Sequence, residues 1–82
     1  MKLDKAVSLA KDFFIERGFT VKFQIAFRNQ TYWLELELEK WEAYGRVLYN
    51  VQFKASGPES LRNALLRWVK DVFGIDIGEN DG

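Results

Sequence analysis

The chain has 82 residues, no cysteine, no histidine and a formal net charge of zero, with seven Phe, three Tyr and three Trp. This length makes one domain, which by surface scaling buries about 63% of the surface its unfolded chain exposes, and the large rings supply much of that area. Absence of cysteine rules out a disulfide framework and thiolate chemistry. Absence of histidine removes the commonest general base and most zinc sites.

Charge is spread evenly. Residues 1–18 carry four positive and three negative charges, residues 19–55 five and four, and residues 56–82 three and five. No segment has the basic excess that a large phosphate footprint requires, so nucleic acid is not the expected partner. There is no apolar run near 18 residues and no apolar leader with a cleavage site, so the expected setting is cytoplasmic, with no membrane partner.

Residues 4–17 are expected to form a helix. Leu3, Ala6, Val7, Ala10, Phe13 and Phe14 recur at three- and four-residue spacing, with Asp4 as its N-cap and Gly18 as its stop. A first strand follows over 19–28, with Phe19, Val21, Phe23, Ile25 and Phe27 alternating with polar positions. Asn29-Gln30 predicts a two-residue hairpin turn.

The central stretch, Thr31 to Trp41, alternates throughout. Tyr32, Leu34, Leu36 and Leu38 point one way; Trp33, Glu35, Glu37, Glu39 and Trp41 point the other. The Asn-Gln turn sets Phe27 opposite Tyr32, Ile25 opposite Leu34, Phe23 opposite Leu36 and Val21 opposite Leu38, and every pair matches in character. A second turn at Tyr44-Gly45 predicts a third strand over 46–55. Val47, Tyr49, Val51 and Phe53 would face inward, with Leu48 opposite Trp41, Gln52 opposite Glu37 and Lys54 opposite Glu35.

Ser56-Gly57-Pro58-Glu59 predicts the start of a second helix, with Ser56 and Glu59 as a capping box. Its buried stripe would be Leu61, Ala64, Leu65, Trp68, Val69 and Val72. Gly74 ends the helix, with Ile75 as the apolar residue beyond the cap. The predicted fold is α+β: α-β-β-β-α, a three-stranded antiparallel meander sheet with both helices packed on one face. Residues 1–75 would form a single domain and residues 76–82 an acidic flexible C-terminal tail. DIGENDG in that tail is similar to a calcium loop, but it lacks the acidic third position and the terminal Glu.

The element order resembles that of double-stranded-RNA-binding domains. That resemblance implies both helices on one side of the sheet, and phosphate contact through lysines at the start of the second helix. The corresponding stretch here reads SGPESLRNALL, without a lysine. The same layout is similar to some small phage-encoded inhibitors, including certain anti-CRISPR proteins. That likeness implies occlusion of a nucleic-acid site on a host complex.

The serines have no base to activate them, no Gly-rich phosphate loop is present, and no cofactor, metal site or catalytic residue is expected. Glu35, Glu37 and Glu39 stand about 7 Å apart on one face, too far apart for an easy shared metal site. The expected function is therefore that of a small non-enzymatic protein-binding module. Trp33 and Trp41 would anchor the contact, Glu35, Glu37 and Glu39 would give charge selectivity, and the partner would be a basic protein surface or a second copy in a homodimer. Arg62, Arg67 and Lys70 form a secondary basic patch on the outer face of the second helix.

Overall fold

The structure is a computed structural model, and it describes residues 1–78. The order is α1 (Leu3–Glu16), β1 (Thr20–Arg28), β2 (Thr31–Glu42), β3 (Gly45–Ala55) and α2 (Pro58–Phe73). The strands form one antiparallel sheet in the order β1-β2-β3, and both helices contact it. This is the expected α-β-β-β-α architecture with β2 in the centre.

The period-two pattern of β2 decides which face the helices cover. Leu34, Leu36 and Leu38 are fully buried together with Ala6, Ala10 and Phe14 of α1 and Leu61, Leu65 and Val69 of α2. Rings close one end of this core. Phe73 lies within 6.1 Å, centroid to centroid, of Phe13, Phe14, Phe19, Tyr49 and Trp68, mostly in edge-on geometry. Edge-on packing sets the positive rim of one ring against the negative face of the next.

The first hairpin has the expected register from Thr20–Glu39 to Arg28–Thr31, including all four apolar pairs. Asn29 (φ +52) and Gln30 (φ +60) both take positive φ, as a type I′ turn requires. The second hairpin departs from expectation. Its turn is Ala43-Tyr44, with Glu42 paired to Gly45, so Trp41 lies opposite Arg46, Glu37 opposite Asn50, Glu35 opposite Gln52 and Trp33 opposite Lys54. Positive φ falls on Gly45 (φ +140) after the turn rather than within it; an unprimed turn followed by glycine also closes hairpins. The shift is two residues, so every side chain keeps its expected face.

The helix boundaries also correct the sequence reading. Lys2, not Asp4, is the N-cap of α1, and Asp4 lies in the first turn. Gly57, not Ser56, caps α2 ahead of Pro58, and neither cap is closed by a side chain. Gly18 takes φ +90, and the Phe19 N–H donates to the Phe14 carbonyl at 3.1 Å. On α2, Val72 is exposed and Phe73 fills the place expected for it. Leu61, Leu65, Val69 and Phe73 recur every four residues. Beyond Gly74, Ile75 is exposed, and Ile77 packs against the core instead. Lys70 pairs with Asp76 at 3.3 Å. The remainder of the acidic tail and of DIGENDG, residues 79–82, lies outside the described residues.

Element lengths do not match. At ~3.3 Å per residue β2 runs about 40 Å, close to the 42 Å long axis of the molecule. At 1.5 Å per residue α1 and α2 run about 21 and 24 Å. The helices therefore cover the middle of the sheet and leave side chains uncovered toward both hairpin ends.

Two stability outcomes follow. Leu36→Ala should destabilise the chain by roughly 3 kcal/mol in urea denaturation, because the leucine is fully buried. Gln30→Gly should stabilise it by about 1 kcal/mol, by relieving positive φ on a side-chain-bearing residue.

Candidate functional site

The open face of the sheet carries the odd-numbered residues of β2. Its flanks are Lys22, Gln24, Ala26 and Arg28 of β1, and Arg46, Leu48, Asn50, Gln52 and Lys54 of β3. The five expected partner-binding residues of β2 all lie on this one face, but their environments differ.

Trp33 was expected as an exposed anchor and is half-buried. It lies opposite Ala26 and Lys54. The Arg28 guanidinium sits 4.9 Å and the Lys54 ammonium 4.8 Å from its ring centroid, so the ring is flanked by two cations. Its Nε1 is buried with no hydrogen-bond partner among the described residues. Trp33 thus holds its own hairpin together and has little surface left for a partner.

Trp41 is different. It is 72% exposed, and across from it is Arg46 rather than the expected Leu48. Leu48, 44% exposed, lies on the diagonal, and Tyr44, 83% exposed, stands in the adjoining turn. Three large side chains thus leave apolar surface in water around one hairpin end. Tyr44 and Leu48 were not singled out from sequence as site residues. A tyrosine in a two-residue turn cannot be buried by its own hairpin, and this was the available signal.

The glutamate row is partly occupied. Glu35 accepts a hydrogen bond from the Gln52 side-chain amide at 2.9 Å, and Glu39 pairs with Arg46 at 3.3 Å. Glu37 makes no hydrogen bond or ion pair among the described residues. Four cations (Lys22, Arg28, Arg46 and Lys54) share the face with these three carboxylates, so it is close to balanced rather than acidic. Among the described residues no group of three or more carboxylates is placed to hold a metal ion.

The basic patch on α2 is also largely engaged. Arg62 is turned inward: it donates to the Met1 carbonyl and to Asn63, and it pairs with Glu59 at 3.5 Å. Lys70 is tied to Asp76, which leaves Arg67 as the exposed remainder. No helix among the described residues is long and apolar enough to cross a membrane.

No protein-family model, curated protein or solved structure matches the chain. The case for a site therefore rests on this face.

The two tryptophans should separate cleanly. Trp33→Ala should cost roughly 2 kcal/mol of stability, because it removes a half-buried ring and its two cation contacts. Trp41→Ala should stay within about 0.5 kcal/mol of the parent. Urea midpoints at constant m-value make the comparison.

Proposed function

We propose that the chain is a non-enzymatic protein-binding module whose contact surface is the open sheet face at the β2–β3 hairpin end. Trp41 is its anchor, with Leu48 and Tyr44 beside it. The observation that carries this reading is the 72% exposure of a tryptophan on a regular strand, where no ring, cation or hydrogen-bond partner among the described residues engages it. Keeping such a ring in water forgoes the burial that a short chain needs, and tryptophan is enriched at the centres of binding interfaces. With neither histidine nor cysteine in the chain, acid–base and thiolate catalysis have few candidates, which supports binding over turnover.

Charge selectivity in this reading belongs chiefly to Glu37. Glu35 and Glu39 are already paired within the sheet, so a partner's cation would have to displace Gln52 or Arg46 to reach them. The preferred partner is a protein surface that presents an apolar recess for Trp41, with a basic side chain within reach of Glu37.

The test compares parent, Trp41→Ala and Glu37→Gln chains in affinity capture from extracts, together with solution mass. Proteins retained by the parent should be reduced at least about tenfold with Trp41→Ala, at unchanged folding. Glu37→Gln should weaken the same interactions by a smaller factor, and more so at low salt. An identical retained set for all three chains rejects the reading.

A further inference from the structure

The sheet has two edges, and they are not equivalent. Along β3, the helix-side residues Val47, Tyr49, Val51, Phe53 and Ala55 are all half-buried, and all but Val51 pack against the core. Along β1, the helix-side residues Ile25 and Phe27 remain 44% and 60% exposed, although they stand on the face that the helices cover. The end of α1 accounts for this: Leu3 is its first residue, and the strand continues past it. A groove of about 650 Å³ passes Val7 and Lys11 of α1 and Val21 to Gln24 of β1, and it extends beyond that edge across the sheet to Glu35 and Glu37 of β2 and Asn50 of β3. Strand β1 is an edge strand paired only with β2 among the described residues, so its other side is open to another extended backbone.

The turn fixes which backbone groups face that space. A two-residue hairpin makes Arg28 and Thr31 a hydrogen-bonded pair. By alternation, Ala26, Gln24, Lys22 and Thr20 also bond to β2. The N–H and C=O groups of Val21, Phe23, Ile25 and Phe27 therefore point away from the sheet. They offer about eight hydrogen bonds along a strand with no proline, glycine or bulge.

The side chains specify what would pair there. Strand β1 carries Lys22 and Arg28 and no acid, and Lys11 flanks the groove on the helix side. Lys11 and Lys22 make no ion pair among the described residues. The strand's existing neighbour shows the matching chemistry: residues 34–39 read LELELE, with leucines against the helices and Glu37 opposite Lys22. The vacant side of β1 presents the same alternating residues as the occupied side.

We propose that the β1 edge is a second binding site, which takes an extended peptide of alternating apolar and acidic residues as a fourth, antiparallel strand. The apolar residues pack against Phe23, Ile25 and Phe27 on the helix side. The acidic residues meet Lys22 and Arg28 on the open side. Main-chain bonds supply register and the alternating side chains supply selectivity. This site is separate from Trp41 and stands whether or not the open face binds a protein.

The test titrates the whole chain with a capped peptide of about nine residues in which valine and glutamate alternate. An alternating valine–lysine peptide and a block-ordered peptide of the same valine–glutamate composition serve as comparisons. The alternating valine–glutamate peptide should bind at least about tenfold tighter than either. It should slow amide exchange at Val21, Phe23, Ile25 and Phe27 by at least about tenfold, with β3 unchanged. Ile25→Pro removes one outward N–H without touching the β1–β2 ladder and should weaken binding at least about tenfold. Should that variant not fold, Lys22→Glu/Arg28→Glu, at the two exposed positions that meet the acidic residues, should reverse the preference toward valine–lysine. Trp41→Ala should bind the peptide as the parent does. Equal affinity for the lysine peptide, protection mapped to β3, or peptide-free self-association that already protects β1 would each overturn the proposal.

Discussion

Leu34, Leu36 and Leu38 stand side by side along β2, and all three are fully buried under two helices. Side chains alternate strictly along a strand, so sinking the leucines forces Trp33, Glu35, Glu37, Glu39 and Trp41 to the opposite face. Each neighbour then falls into line. Val21, Phe23 and Ile25 of β1 and Val47, Tyr49, Val51 and Phe53 of β3 join the leucine side, and the apolar stripes of α1 and α2 close over it. A fold of this size has one core, and here the central strand defines both that core and the surface facing away from it.

The second constraint is length. Strands advance more than twice as far per residue as helices, so a 12-residue β2 outreaches a 14-residue α1 by a wide margin. The molecule resolves the mismatch by letting both hairpin ends extend past the helical layer. Trp41 and Tyr44 are exposed at one end, and Phe27 at the other. At the second end the Phe27 and Tyr32 rings pack on each other at 4.7 Å, which shields part of that surface locally. The exposure of Phe27 is thus a consequence of element geometry, whereas Trp41, on the face away from the helices, would be uncovered whatever their length.

Electrostatics plays a local part. Cations stand on both flanks of the glutamate row, two of them against the Trp33 ring, and the resulting face is close to neutral. Surface pairs such as Arg46–Glu39 and Lys40–Glu42 contribute little to stability in water. Their larger effect is to decide which carboxylate of the row remains available, and among the described residues Glu37 is the one left without a partner. The same reasoning quiets the α2 patch, where Arg62 and Lys70 are committed to Met1, Glu59 and Asp76.

Hydrophobic periodicity alone determined the element order, the dry and wet faces of all three strands, and the first hairpin's register. It could do so because a one-residue slip there would set apolar against polar at every pair. It did not determine the second hairpin's register. A two-residue slip keeps both faces intact, so the pattern is blind to it; the choice between Tyr44-Gly45 and Ala43-Tyr44 depended on where the backbone needed Gly45's positive φ. Nor could it choose Phe73 over Val72, which adjoin on one stripe, because only the ring cluster around Phe14 and Tyr49 has a space of that shape. The candidate face was legible from residues 31–41. The different fates of Trp33 and Trp41 were not, since they depend on Arg28 and Lys54 reaching one ring while Arg46, opposite the other, pairs with Glu39 instead. Alternation is a local property written residue by residue, whereas exposure depends on what distant parts of the chain are long enough to cover.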